Sequence, residues 1–222
     1  MEAATPQAKE GAVRAWADAS GVTVSPRGRI TACAGRGLRV ITYDRPGYGL
    51  STPQPGRRIC DAGADIAIIA DNLSIPRFGI AGISAGGPCA LAAAALLPDR
   101  VTRCATIVAG ISADREDVHG RAVADPETMQ TEWTEFMAWV DAGLRGVTVS
   151  DRDRAMFAET AVEVRRQGST GFIEDTLCDA AGWGFDLDQI AQPVRCLVGR
   201  DTPGSASTTD DDAPTCSRTP NS

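Results

Sequence analysis

Apolar and polar positions follow two rhythms along this chain. Phe78-Gly79-Ile80-Ala81-Gly82, residues 101–108 and Val194-Arg195-Cys196-Leu197-Val198 are short runs of small and β-branched side chains, and each reads as a strand. So does Leu38-Arg39-Val40-Ile41-Thr42-Tyr43, which ends at the turn-forming run Asp44-Arg45-Pro46-Gly47-Tyr48-Gly49. Between them lie helical repeats. Ile59, Ala62, Ile66, Ile69, Ala70 and Leu73 recur at helical spacing and stop before Pro76. Residues 86–97 are almost continuously apolar and small, which predicts a helix covered on most sides, ended by Pro98. Strand, helix, strand, helix, strand at this spacing predicts a parallel α/β sheet with right-handed crossovers.

After residue 113 the rhythm changes. Trp133, Phe136, Met137 and Val140 fall at i, i+3, i+4 and i+7, and Met156, Phe157, Thr160, Ala161 and Val164 mark a second amphipathic helix. The chain therefore divides into an atypical N-terminal segment (1–29), the first part of a core (30–113), a helical insertion (114–185), a return strand (186–201) and a tail (202–222). The tail contains no Val, Ile, Leu, Met or aromatic residue, so apolar burial cannot repay its ordering entropy, and disorder is expected.

Composition narrows the class. The chain has 222 residues, 43% hydrophobic and 23% charged, enough for one sizeable core. A formal net charge of -7 argues against a nucleic-acid partner. Arg14, Arg27, Arg29, Arg36 and Arg39 are scattered among glycines rather than gathered in a basic stripe. No apolar run approaches the ~18–20 residues that span a bilayer, and the first ten residues lack the apolar core of a signal peptide. No membrane partner is expected. Seven cysteines, an odd number without close metal-ligand pairs, point to a reducing cytoplasm, with Cys33, Cys89, Cys104 and Cys196 as buried small hydrophobes and no metal. Gly79, Gly82, Gly86 and Gly87 miss the G-x-G-x-x-G spacing, so no cofactor is expected.

One motif carries chemistry. Gly82-Ile83-Ser84-Ala85-Gly86 joins a predicted strand to a predicted helix, the setting of a nucleophilic serine. Glycines at both ends remove the side chains that would clash across so tight a turn. The Ser84 hydroxyl would stand at the C-terminal edge of the sheet, and the Ala85 N–H, near the helix N-terminus, would donate to an oxyanion. A structural glycine turn is the competing reading. The stripe of Trp133, Phe136 and Met137 reads as packing before it reads as an acyl pocket.

Residues from about 30 to 201 resemble the α/β-hydrolase superfamily, in particular actinobacterial esterase- and lipase-like members with a helical cap. The resemblance rests on Tyr43-Asp44-Arg45-Pro46-Gly47-Tyr48-Gly49 with Ser51, on Gly82-Ile83-Ser84-Ala85-Gly86-Gly87-Pro88, and on Leu97-Pro98-Asp99-Arg100-Val101. Trp183-Gly184-Phe185-Asp186 fits the return from the cap. It implies an α/β-hydrolase fold, a mostly parallel sheet with a helical cap insertion, truncated at both ends. It also implies a serine hydrolase acting on a small-molecule acyl or apolar substrate such as a carboxylic ester, with Ser84 as nucleophile. The family's acid follows the strand equivalent to 194–198, usually three residues after its terminal glycine. Thr202 stands there, and Asp201 is the nearest carboxylate. The family's histidine comes later still and has no counterpart, because His119 is the only histidine and opens the insertion. His119 is thus the candidate base and Asp201 the candidate acid, with Asp114 the other acid in reach. No His-Gly oxyanion loop precedes residue 38. The alternative is a catalytically inactive hydrolase-fold binding protein or a degenerate fragment.

Overall fold

In the computed structural model, which describes residues 39–107, 126–146 and 151–197, the chain forms two compact units, each assembled from separated stretches. One takes described residues from 57–107 and 178–197, the other from 39–56 and 126–177.

The first unit is built around the small-residue run. Alanine has high helix propensity, and the run from Gly86 to Leu96 forms helix α2, with Ala92, Ala93 and Ala94 fully buried. Lacking bulk on every side, α2 lies close against helix α1 (Asp61–Asn72) and strands β1 (Phe78–Ile83) and β2 (Val101–Ile107). A third strand, β3 (Val194–Leu197), joins them, and among the described residues the sheet has the order β1-β2-β3. Both pairings are parallel, with Ile83 opposite Ile107 and Ile107 opposite Leu197. The core gathers Ile59, the α2 alanines, Val101, Cys104, Cys178 and Trp183.

Arg100 fastens the start of this sheet. Its guanidinium donates to the Asp71 carboxylate (2.6 Å) and the Ile75 carbonyl (2.7 Å), and it lies 6.0 Å from the Phe78 ring centre. Trp183 closes the other end of the core. Its carbonyl accepts from Cys60 N–H (2.9 Å), and its indole donates to Asp179 (2.8 Å). Burial pushes the Cys104 thiol up to about 11, with Cys196 on the next strand adding to the shift. It is therefore a packed neutral thiol at physiological pH. Cys104 fits the expected buried role, Cys89 and Cys196 are half-buried, and Cys33 lies outside the described residues.

In the second unit, helices α3 (Pro126–Gly146) and α4 (Asp151–Val164) form where the amphipathic spacing predicts them. A third helix, α5 (Thr170–Ala180), whose residues up to Leu177 belong to this unit, had no expected counterpart. Met129, Trp133 and Met137 make the buried stripe of α3. Arg165, just after α4, bonds Asp141 of α3 at 2.8 Å.

The turn after Asp44 is held from within and from across the unit. Ser51 Oγ donates to the Asp44 carbonyl (2.7 Å), while the Gln167 side-chain amide reaches the carbonyls of Tyr48, Gly49 and Ser51. Arg45 pairs with Asp175 and lies over the Tyr48 ring. Burial, more than the neighbouring Asp175 charge, holds the Tyr48 phenol above its ordinary range. Gly47 and Gly49 take positive φ here, +82° and +54°.

One expected strand is corrected. Residues 39–45 form no strand, and β1 has β2 as its sole strand partner among the described residues. β-branched residues favour an extended chain, but a strand exists only where a neighbouring ladder accepts it. The tail from 202 to 222 and the segment 1–29 lie outside the described residues.

Candidate active site

Ser84 follows the last residue of β1 and precedes α2 by one residue. The chain must reverse from strand to helix within two residues, and two contacts fix how. Ser84 N–H donates to the carbonyl of Ile107, the end of β2, at 2.9 Å, and Gly87 N–H donates to the Ser84 carbonyl at 2.9 Å. The reversal brings Gly82 against the α2 backbone. A Cβ at Gly82 would lie 2.5 Å from the Gly86 carbonyl carbon and 2.8 Å from Gly87 N.

The cost of this turn falls on the serine. Ser84 has φ +50°, a left-handed conformation that costs an L-residue about 1–2 kcal/mol. Among the described residues one other non-glycine residue, Ser74, shares it, with φ +54°. Ser74 has an ordinary reason. It stands just past the end of α1, where Ser74 N–H and Ile75 N–H cap the carbonyls of Asp71 and Ala70. Ser84 stands before a helix, so that explanation does not apply. A strained, exposed serine at a sheet's C-terminal edge is the kind of outlier from which a functional hypothesis starts.

Ser84 and Ala85 are both exposed, and Ala85 is the N-cap residue of α2. Ser84 therefore stands immediately before the positive end of the helix dipole. Ser84 Oγ has no hydrogen-bond partner among the described residues. His119, Asp114 and Asp201 all lie outside them. Among the described residues, no three of His, Cys, Asp and Glu gather into a group able to hold a metal ion, and no helix is long and apolar enough to cross a membrane.

Comparison with known proteins adds two results. Residues 5–33 match the family described as Lsr2 DNA-binding domain. This overturns the expectation of no nucleic-acid partner. The expectation rested on the net charge of the whole chain, which says nothing about where the charge lies: Lys9, Arg14, Arg27 and Arg29 outnumber Glu10 and Asp18 within 5–33. Among curated proteins, an uncharacterized hydrolase, YcgS, of Bacillus subtilis (strain 168) is 35% identical over 71 residues, 32% of this chain. The match spans 25% of that relative's length.

Solved structures agree on architecture. A hydrolase from Pseudomonas aeruginosa PA01 superposes with a TM-score of 0.61 at 19% identity, over 82% of this chain and 69% of the other. The enol-lactonase from Burkholderia xenovorans LB400 gives 0.52 at 21% identity, over 80% and 68%. At these identities the likeness is one of fold. Residues 20–161, more than half of the sequence, match the family described as alpha/beta hydrolase fold, and the chain belongs to that family.

Proposed function

We propose that this protein is a serine hydrolase of carboxylic esters or related acyl substrates, with Ser84 as nucleophile. The observation that carries this reading is the strained, exposed Ser84 between β1 and the N-terminus of α2. In the proposed reaction Ser84 Oγ bonds to the substrate's carbonyl carbon as its proton passes to a base. The resulting oxyanion accepts a hydrogen bond from Ala85 N–H. Collapse expels the alcohol, which takes the proton from the base, and leaves an acyl-serine. Water, deprotonated by the same base, then releases the carboxylic acid and restores the hydroxyl. His119 is the proposed base and Asp201 the proposed acid. Residues 114–185 would form the cap over the substrate. No disulfide joins two of the described cysteines, Cys60, Cys89, Cys104, Cys178 and Cys196, in keeping with the proposed cytoplasmic location.

A small fluorophosphonate tests this directly. Intact-mass analysis of the folded protein should show one added phosphonyl group, absent in Ser84→Ala and slowed severely in His119→Ala. If the folded chain gains no mass, the turn is architecture alone and the protein is an inactive hydrolase-fold binder.

A second reading concerns residues 5–33 and is favoured by their match to the Lsr2 DNA-binding domain. We propose that this segment contacts duplex DNA through its basic side chains. Fluorescence anisotropy with a labelled duplex should show binding that weakens with salt, as release of phosphate counterions requires. Replacing both Arg27 and Arg29 with alanine should weaken binding and flatten the salt dependence. Equal affinity of the double variant and the parent at every salt concentration would refute the assignment.

A further inference from the structure

Helix α3 carries an aromatic array that leads from the inside of its unit to the outside. Trp133 is 6% exposed, and its ring centre lies 5.4 Å from Phe172 of α5. Phe172 stacks on Phe136 at 6.0 Å and 19°, and Phe136 stacks on Trp139 at 6.0 Å and 26°. Trp139 is 70% exposed. The array is anchored at its buried end, so the outer rings are presented in a fixed attitude, and a ligand would lose little entropy in ordering them.

The charge that α3 itself carries beside these rings is mostly acidic. Glu135 lies one turn before Trp139 and Glu132 one turn before Phe136, the spacing at which side chains on a helix are neighbours. Glu135 is exposed and forms no ion pair among the described residues. The sequence of α3 holds the acidic residues Glu127, Glu132, Glu135 and Asp141 and one basic residue, Arg145, and of these acids Asp141 is paired with Arg165. A plain apolar partner would strand the Glu135 carboxylate away from water, which is costly. A cation would not. A guanidinium is flat enough to lie on the Trp139 ring and also presents a planar edge of N–H donors that matches a carboxylate; an ammonium can do the first weakly and the second only as a point charge.

We infer that the exposed face of α3 formed by Glu135, Phe136 and Trp139 docks an arginine side chain from a polypeptide partner. The arginine stacks on Trp139 and bonds the Glu135 carboxylate. This does not rest on the hydrolase reading, and the Ser84→Ala variant should bind such a partner as well as the parent.

The test uses the full chain with two labelled probes of equal length, oligo-arginine and oligo-lysine, followed by fluorescence anisotropy. Oligo-arginine should bind more tightly than oligo-lysine. Trp139→Ala should reduce its affinity about fivefold, Trp139→Phe should restore part of that, and Glu135→Gln should reduce it by a similar factor. Trp139 is largely exposed, so the thermal midpoint of its variants should match the parent. Equal affinity for the two probes, or indifference to Trp139→Ala, would overturn the assignment in favour of general attraction to an acidic protein. A concentration-dependent dimer abolished by Trp139→Ala would overturn it in favour of a second copy on this face.

Discussion

Replacing Gly82 with alanine should destabilise the sheet unit by about 3 kcal/mol. The new methyl would overlap the carbonyl of Gly86 and crowd Gly87 N, both backbone atoms of α2. Neither can swing aside as a long side chain would. Relief requires α2 to slide, and α2 is wedged by alanines packed without exposure against β1 and β2. Alanine is worth at most about 1 kcal/mol over glycine in backbone entropy, so the overlap wins. Gly79 provides the internal control. It lies on the same strand, but a Cβ there meets nothing nearer than the Arg103 carbonyl at 3.9 Å. Urea denaturation followed by Trp183 fluorescence, with the other tryptophans replaced, should show a large loss for Gly82→Ala and little change for Gly79→Ala. Similar midpoints for the two variants would mean that the tight approach of β1 and α2 is wrong.

Gly47→Ala should be as damaging to the other unit, for two reasons that can be separated. Its φ of +82° costs an L-residue about 1–2 kcal/mol. Its Cβ would also lie 2.7 Å from Cα of Gly171 and 2.9 Å from N of the same residue, at the start of α5. That overlap adds a further ~1–3 kcal/mol. Gly56 isolates the first contribution, since it has φ +78° with nothing within 4 Å of its missing Cβ. Gly56→Ala should therefore cost only the conformational part, about 1–2 kcal/mol. In denaturation followed by far-ultraviolet circular dichroism, Gly47→Ala should lose roughly twice as much as Gly56→Ala. Equal losses would remove the contact between Gly47 and Gly171.

Elements whose signal is local were legible in the sequence. The helix of small residues, both amphipathic helices and the strands at 78, 101 and 194 appear within a residue or a few of the positions their patterns predict. The Gly82 to Gly86 turn was readable for the same reason, because two glycines flanking a serine state a steric requirement. What escaped were relations between distant residues. The run 38–43 has strand composition, yet residues 39–45 pair with nothing as a strand, because pairing depends on a partner elsewhere. Helix α5 was missed because its apolar positions, Phe172, Ile173, Leu177 and Cys178, are few and interrupted by charge. Its reason for being is tertiary: Asp175 meets Arg45 from 130 residues away, and Glu174 accepts from Gln54 N–H. No window of sequence displays such a bond. The DNA-binding match was obscured differently, since a chain-wide average hid a locally basic segment.

The sheet also imposes an order of events on the ribosome. β1, α2 and β2 emerge together, but β3 is specified by residues 194–197, after the whole of α3, α4 and α5. At about 5–20 residues per second, several seconds pass during which one edge of β2 has no ladder to complete it. The nascent chain is then an open strand edge beside half-finished apolar packing, the form most prone to pair with a neighbour. A slowed or interrupted translation anywhere in the helical stretch would prolong that exposure, so the yield of folded protein should depend on chaperone supply during synthesis more than on the stability of the finished fold.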